Sequence, residues 1–197
     1  MSPRGKGTTA VHGRGAARRG PLATPIAQTS TFAFGSAAEM RRHLEGDEEL
    51  FLYTRYANPT VRELEESLAA VEDAEAALAL SSGMAAMTTA VASLVRAGDE
   101  VLASASLYGG TVRLLTDLLP RFGVTTRFVD LMDEAAVRAA ITPRTRVLYC
   151  ESVSNPLLEV ADIPALAQLA REHGIRLVVD NTFSPLILSP LRLGADV

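Results

Sequence analysis

The stretch RVLYCESVSNPLLEVADIPALAQLAREHGIRLVVD, residues 146–180, decides the fold class of this chain. It opens with an apolar run at Arg146–Glu151 and closes with a second apolar run at Arg176–Asp180, each of strand length. Between them, apolar residues recur at helical spacing over Ile163–His173, which predicts an amphipathic helix. Two strands joined by a helix are typical of a parallel pair with a crossover connection.

The same alternation extends towards the N terminus and predicts an α/β fold, in which a mostly parallel sheet carries helices on both faces. Right-handed crossovers are expected between its strands. We predict the remaining strands at Ala76–Leu80, Glu100–Ala103 and Thr125–Val129, and the remaining helices at Thr60–Glu72, Gly83–Arg96, Thr111–Phe122 and Glu134–Ala140.

The two ends of the chain differ from this pattern. Prolines punctuate residues 21–60, which predicts an extended arm with one short helix near Ser36–Leu44. We therefore divide the chain into an N-terminal arm, residues 1–59, and the first part of a sheet-bearing domain, residues 60–197. Leu191–Val197 has the pattern of a helix end, a glycine cap and the start of another strand, so we expect a piece of a longer protein.

Composition restricts the class of protein. The chain has 197 residues, of which 48% are hydrophobic and 21% charged, in the range of a globular domain. Its single cysteine, Cys150, excludes an internal disulfide and a multi-cysteine zinc site and suits a reducing compartment, so we predict a cytoplasmic protein. Its three histidines are too scattered for a metal site. No apolar run reaches about 18 residues, so no membrane span is expected.

Charge is uneven along the chain, whose formal net charge is −4. The first 20 residues contain no acid and five basic residues: Arg4, Lys6, Arg14, Arg18 and Arg19. A basic arm could bind nucleic acid, but no aromatic residue precedes Phe32 to stack on bases. We therefore interpret this segment as a mobile or partner-contacting arm and predict no nucleic-acid partner.

Candidate site residues follow the predicted strands, because ligands of open parallel sheets bind beyond the carboxyl ends of the strands. Gly83 and Met84 open a helix, where free N–H groups could bind a phosphate or where Ser82 could be an ordinary cap. Tyr108, before two glycines, could lie against a flat ligand or pack in a turn.

Charged residues give further candidates. Asp180 ends an apolar strand, where a carboxylate needs a cation or several donors, and Glu151 is better explained as a satisfied structural carboxylate. Cys150 is interpreted as a core residue rather than a nucleophile. Arg55, in an irregular segment with Tyr53, could bind phosphate or form a surface ion pair.

These residues lie in six motifs, and together the chain resembles the pyridoxal-phosphate (PLP) enzymes of cysteine and methionine metabolism. That family includes cystathionine γ-synthase, cystathionine γ-lyase, methionine γ-lyase and O-acylhomoserine sulfhydrylase. The motifs are QTSTF (28–32), YTR with NPT (53–55 and 58–60), SSGM (81–84), YGGT (108–111), ESVSNP (151–156) and DNTF (180–183).

The resemblance implies a PLP-dependent transferase fold of type I and a role for each candidate residue. Gly83 and Met84 would hold the cofactor phosphate, and Tyr108 would stack on the pyridine ring and transfer protons. Asp180 would pair with the pyridine nitrogen, and Asn155 would bond the ring hydroxyl.

The resemblance also implies an assembly. Tyr53 and Arg55 would reach the phosphate of a neighbouring subunit, so residues 1–59 would include an inter-subunit segment. The protein would then be a homodimer with shared active sites, and a homotetramer is expected.

Two departures limit what the resemblance implies. The Schiff-base lysine of the family should follow a Ser-x-Thr motif beyond Val197, and Lys6 cannot replace it. Many bacterial methionine γ-lyases carry a cysteine where this chain has Gly110. We predict γ-elimination of cystathionine or methionine in transsulfuration and methionine metabolism by the intact protein. The alternatives are γ-replacement on an O-acylhomoserine, by a sulfhydrylase or γ-synthase, and a truncated, non-catalytic chain.

Overall fold

The structure of the protein is a computed structural model that describes residues 5, 7–9, 23–46 and 50–197. The five basic residues among the first 20 lie outside the described residues. The chain divides into two units, Met1–Ala79 and Leu80–Val197. The predicted boundary between residues 59 and 60, and the extended character of the arm, stay predictions.

Over residues 23–46 and 50–79, the first unit contains the helices α1 (Ala37–Glu45) and α2 (Pro59–Glu72). Ser36 caps α1 by accepting the Glu39 N–H, and Gly46, at φ +84°, ends the helix in the left-handed conformation that glycine tolerates best. The buried Asn58 caps α2 by accepting the Thr60 N–H. Both helices confirm the sequence prediction, and each begins where a polar cap residue precedes it.

The second unit contains four strands and four α-helices. The strands are β1 (Glu100–Ser104), β2 (Thr125–Val129), β3 (Thr145–Glu151) and β4 (Arg176–Asp180). The helices are α3 (Gly83–Ala92), α4 (Gly109–Arg113), α5 (Glu134–Ala140) and α6 (Ile163–His173).

All four strands are parallel, in the order β2-β1-β3-β4. One face of the sheet, which includes Leu102, Leu148 and Leu177, packs against α6 and α5. The other face, which includes Val101 and Tyr149, packs against α3 and the segment 114–119. Successive residues of a strand point to opposite faces, so the apolar runs are buried on both sides. The predicted α/β class, with helices on both faces of a parallel sheet, is confirmed.

Three predicted elements need correction. The predicted strand Ala76–Leu80 is irregular, because none of the described strands pairs with it, and Leu78 and Leu80 are exposed. The predicted helix Gly83–Arg96 ends at Ala92, and the Arg96 N–H donates instead to the Asp99 carboxylate in the turn before β1. The predicted helix Thr111–Phe122 begins two residues earlier, as α4.

The same helix also changes form after Arg113. It continues as a π-turn over Leu114–Leu118 and as a 3-10 turn over Leu119–Phe122. Pro120 explains part of this change, because proline has no N–H for a regular helical hydrogen bond. The helical periodicity in the sequence was therefore sufficient to locate the segment but not to define its hydrogen bonding.

The last residues pair with the edge strand β4. After a 3-10 turn at Leu191–Leu193 and Gly194 at φ +105°, the Asp196 N–H donates to the Leu177 carbonyl at 2.9 Å. The Val179 N–H donates to the Val197 carbonyl, also at 2.9 Å. The glycine cap is confirmed, and these hydrogen bonds agree with the expected start of a strand, although residues 195–197 form no assigned strand.

Candidate active site

A cavity of about 370 Å³ lies at the carboxyl ends of β3 and β4 and at the start of α3. Five of the seven predicted site residues line it: Gly83, Met84, Tyr108, Asn155 and Asp180. Its volume is in the range of pockets that bind small molecules. Residues far apart in the sequence therefore meet where parallel-sheet proteins bind their ligands.

The start of α3 presents backbone donors to this cavity. Ser82 is extended, at φ −164°, and its Oγ accepts the Ala85 N–H at 3.1 Å. Among the described residues, no group accepts the N–H of Gly83 or Met84. A Cβ atom at Gly83 would meet nothing within 4 Å, so there is open space beside these N–H groups. Ser82 is thus an ordinary cap and still leaves two donors for an anion.

Tyr108 lies on the cavity wall just before α4, with 46% of the residue exposed. Its ring passes close over Gly110. A Cβ atom at Gly110 would lie closer than 3.0 Å to Tyr108 Cε1 and 2.9 Å from Met84 Sδ. Gly110 is therefore the residue that allows the ring to occupy this position beside α3.

Asp180 ends β4 and is half-buried. Its Oδ1 accepts two hydrogen bonds from Thr182, one from the backbone N–H at 2.9 Å and one from the hydroxyl. These two donors partly offset the cost of burying the carboxylate, as expected from the sequence.

Glu151 ends β3 and is only 6% exposed. Its Oε1 accepts the Tyr108 N–H at 2.6 Å, and its Oε2 accepts the Asn155 N–H at 2.9 Å. Burial raises the pKa of this carboxyl, the Asp180 charge raises it further, and the two backbone hydrogen bonds lower it. The interpretation of Glu151 as a satisfied structural carboxylate is confirmed.

Cys150 is fully buried in the core on the other face of β3. Burial, followed by the charges of Glu151 and Asp180, raises the pKa of its thiol to about 12. A thiol that stays protonated is a poor nucleophile, which confirms that Cys150 is a core residue.

Tyr53 and Arg55 do not line this cavity and lie together in the first unit. The guanidinium carbon of Arg55 is 4.9 Å from the Tyr53 ring centroid and 5.4 Å from the Tyr56 ring centroid. Both distances are in the range of cation–π contacts. The two predicted residues are therefore adjacent, on an open surface depression that also includes Gln28 and Ser30.

Several cavity residues were not singled out from the sequence. Met87, Val153 and Phe183 are apolar lining residues, and they have no chemical signature in a single sequence. Phe183 is the last residue of the motif DNTF (180–183), but no role was assigned to it from the sequence. Glu151 also borders a second cavity, of about 250 Å³, which contains none of the seven predicted residues.

Neither a metal site nor a membrane span is found in the part of the chain that the structure describes. No group of three or more His, Cys, Asp or Glu side chains there could hold a metal ion. No helix over the same residues has the length and apolar character needed to cross a membrane.

Two curated relatives are similar over almost the whole chain. An L-methionine γ-lyase of Porphyromonas gingivalis is 44% identical over 98% of this chain and 49% of the relative. A cystathionine γ-synthase of Mycobacterium bovis is also 44% identical over 98% of this chain and 49% of the relative. The chain thus spans about half the length of these curated relatives.

A solved structure is similar in fold as well. It is described as an O-acetylhomoserine (thiol)-lyase of Campylobacter jejuni and contains N'-pyridoxyl-lysine-5'-monophosphate. The TM-score is 0.90 at 32% identity, over 98% of this chain and 49% of that protein. Residues 7–197 match the family described as Cys/Met metabolism PLP-dependent enzyme. A match of this extent, with the sheet and the strand-end cavity described above, shows that the chain belongs to this family of PLP-dependent enzymes.

Proposed function

We propose that the intact protein uses PLP to eliminate the γ-substituent of a sulfur amino acid, cystathionine or methionine. The observation that carries the proposal is the meeting of Gly83, Met84, Tyr108, Asn155 and Asp180 around one cavity. A second support is the similarity to a relative named L-methionine γ-lyase. Transsulfuration and methionine metabolism are the processes that this reaction would serve.

The residues of the cavity fit the cofactor. The two unbonded N–H groups of Gly83 and Met84, at the start of a 10-residue helix, suit a phosphate. The exposed part of the Tyr108 ring could lie against the pyridine ring, and Asn155 could donate to the ring hydroxyl oxygen. Asp180 could face the pyridine nitrogen with Oδ2, because Oδ1 is occupied by Thr182.

The chain's own residues would then have distinct tasks. PLP, when bound, supplies a ring that accepts the electrons released at the substrate α-carbon. Asp180 would keep a proton on the pyridine nitrogen, since a negative charge beside a base favours its protonated form. The Tyr108 hydroxyl would move a proton at the leaving sulfur. The lysine that binds the cofactor covalently would have to come from residues beyond Val197.

Tyr53 and Arg55 would complete the phosphate site of a neighbouring subunit. The Arg55 guanidinium lies 4.9 Å and 5.4 Å from two aromatic ring centroids, which would restrict its position, and its N–H donors could bind phosphate oxygens. This arrangement requires at least a homodimer with shared active sites, and we propose a homotetramer in the cytoplasm.

A substitution at Asp180 tests the cofactor assignment. We expect Asp180→Ala to abolish turnover while the fold remains, because an unprotonated ring is a poor electron acceptor. Asp130→Ala is the matched control, because Asp130 directly follows β2 as Asp180 ends β4. Its Oδ1 accepts the N–H of Met132, two residues later, at 2.9 Å, just as Asp180 Oδ1 accepts the N–H of Thr182. Near-normal turnover of Asp180→Ala, or equal loss in both variants, would contradict the assignment.

Substrates distinguish elimination from replacement. The intact protein is given cystathionine, methionine, and O-acetylhomoserine with sulfide in parallel. We expect ketobutyrate from the first two. Homocysteine from the third, with no ketobutyrate from the others, would favour a sulfhydrylase, in keeping with the similarity to the O-acetylhomoserine (thiol)-lyase. No reaction and no cofactor bound covalently to a lysine would favour a truncated, non-catalytic chain.

A further inference from the structure

One buried carboxylate joins two loops that line the cavity. Tyr108 follows β1 and Asn155 follows β3, and the two residues are 47 positions apart (155 − 108). Each donates its backbone N–H to a different oxygen of Glu151, at 2.6 Å and 2.9 Å. A second link joins the same loops, because the Ser106 hydroxyl donates to Ser154 Oγ at 3.0 Å.

Only an ionised carboxylate can accept both N–H groups fully. A glutamine would offer one carbonyl oxygen and one NH₂ group, and the NH₂ group would face a second donor. A protonated glutamic acid would accept one N–H group at its carbonyl oxygen and the other only weakly at its hydroxyl oxygen. Hydrogen bonds to a charged acceptor also contribute more to stability than hydrogen bonds between neutral groups.

The position of Glu151 is costly for a charge. The residue is 6% exposed. Burial, two backbone hydrogen bonds and the Asp180 charge shift its pKa, and no basic side chain among the described residues lowers it. An apolar or amide residue would avoid the cost of burying a charge at this strand end, but it would leave at least one of the two N–H groups without an acceptor. The carboxylate is therefore explained better by what it holds than by the stability it adds.

We propose that Glu151 is a positioning residue that fixes the Tyr108 loop against the Asn155 loop. It would set the separation of the Tyr108 and Asn155 side chains, which line the same cavity and would both contact the cofactor ring. This role rests on the proposed function: Glu151 lies on the cavity wall, and it would act through the two backbone N–H groups that it accepts rather than by reacting itself. Misplacement of a reacting group by about 1 Å can lower a rate by about 100-fold, so a small shift of either loop would be visible in turnover.

The test compares Glu151→Gln with Glu159→Gln in the intact protein. Glu159 is exposed and lies in the loop that follows Asn155, so it receives the same chemical change without the buried acceptor. The first measurement is hydrogen exchange of backbone amides without cofactor. We expect the Tyr108 or Asn155 N–H of Glu151→Gln to exchange about 10-fold to 100-fold faster, and the Thr182 N–H, which Asp180 holds, to be unchanged.

The second measurement compares the effect of each substitution on kcat with its effect on KM. We expect Glu151→Gln to lower kcat at least about 10-fold with little change in KM, and Glu159→Gln to change neither. Glu151→Asp provides a second carboxylate in case the glutamine variant does not fold. It is one methylene shorter, so we expect it to retain one of the two hydrogen bonds and to recover part of the rate.

Each outcome has a separate meaning. Unchanged exchange at both amides would overturn the coupling of the loops. Faster exchange with an unchanged kcat would overturn the positioning role alone. If the unsubstituted intact protein binds no PLP, the proposed function fails and the positioning role fails with it, whatever the exchange rates show.

Discussion

Replacement of Tyr149 by phenylalanine should stabilise the protein. Tyr149 is 1% exposed in the core beneath α3, and its hydroxyl is buried without a hydrogen-bond partner among the described residues. Burial raises the pKa of the Tyr149 hydroxyl and the nearby Thr111 hydroxyl opposes this shift, but Thr111 donates to Met87 Sδ and forms no hydrogen bond with the tyrosine. The Tyr149→Phe change removes a polar group that burial has separated from water.

The magnitude follows from two opposing terms. An unsatisfied buried polar group costs about 1–3 kcal/mol. The small void left by one oxygen atom costs a few tenths of a kcal/mol, at about 24 cal/mol per Å³. We therefore expect Tyr149→Phe to raise the free energy of unfolding by about 1–2 kcal/mol. With a urea m value of about 2 kcal/mol/M, the midpoint should rise by about 0.5–1 M.

The assay is urea unfolding at neutral pH, with Tyr56→Phe as the control. Tyr56 is 73% exposed, so its change should stay within about 0.5 kcal/mol. A loss of stability of about 1 kcal/mol or more in Tyr149→Phe would refute the reasoning, because it would show that the hydroxyl has a partner.

High pH provides an independent check on the same residue. Burial, and after it the Asp180 charge, raises the pKa of the Tyr149 hydroxyl well above its usual value. The unfolded chain would ionise near pH 10 while the native chain stays neutral, so the native state loses stability as the pH rises above about 10. The advantage of Tyr149→Phe should grow there by up to about 1.4 kcal/mol per pH unit.

Three further predictions concern the site and the core. Gly110→Ala should move the Tyr108 ring by about 1 Å, because the new Cβ atom needs ordinary contact distances. This shift should change the ratio of kcat/KM for cystathionine to kcat/KM for methionine by about 10-fold. Gly109→Ala, where a Cβ atom would meet nothing within 4 Å, should leave that ratio unchanged, and equal effects would contradict the steric argument. The Cys150 thiol should react with a thiol reagent only as fast as the protein unfolds, because the side chain is fully buried and burial raises its pKa to about 12; rapid reaction of the native protein would exclude this. Arg55→Ala should weaken cofactor retention, measured by fluorescence, and mixed dimers with Asp180→Ala should regain activity only if the sites are shared.

The strongly patterned elements could be predicted to the residue. α5, α6, β2 and β4 have the predicted bounds, because apolar periodicity coincides with polar caps and a terminal glycine. Asp133 and Asp162 accept N–H groups at the starts of α5 and α6, and Gly174, at φ +65°, ends α6. Where local sequence and packing favour the same boundary, one sequence is sufficient.

The remaining features depend on contacts that are distant in sequence. A strand at Ala76–Leu80 needs a pairing partner, which no local pattern can supply. The placement of five candidate residues around one cavity could be predicted, because parallel strands end at the same edge. The two hydrogen bonds of Glu151 could not, since the side chain spans two loops and its partners are backbone groups that leave no trace in residue identity.

The use of backbone partners has a consequence for how this site can vary. Glu151 accepts only the backbone N–H groups at positions 108 and 155, so both hydrogen bonds can form whichever side chains stand there. Proline is the exception, because it lacks the N–H group that each oxygen requires. The distance between the two loops is thus set independently of the side chains that they carry. The residues at positions 108 and 155 can be exchanged while the Glu151 carboxylate keeps the loops in place.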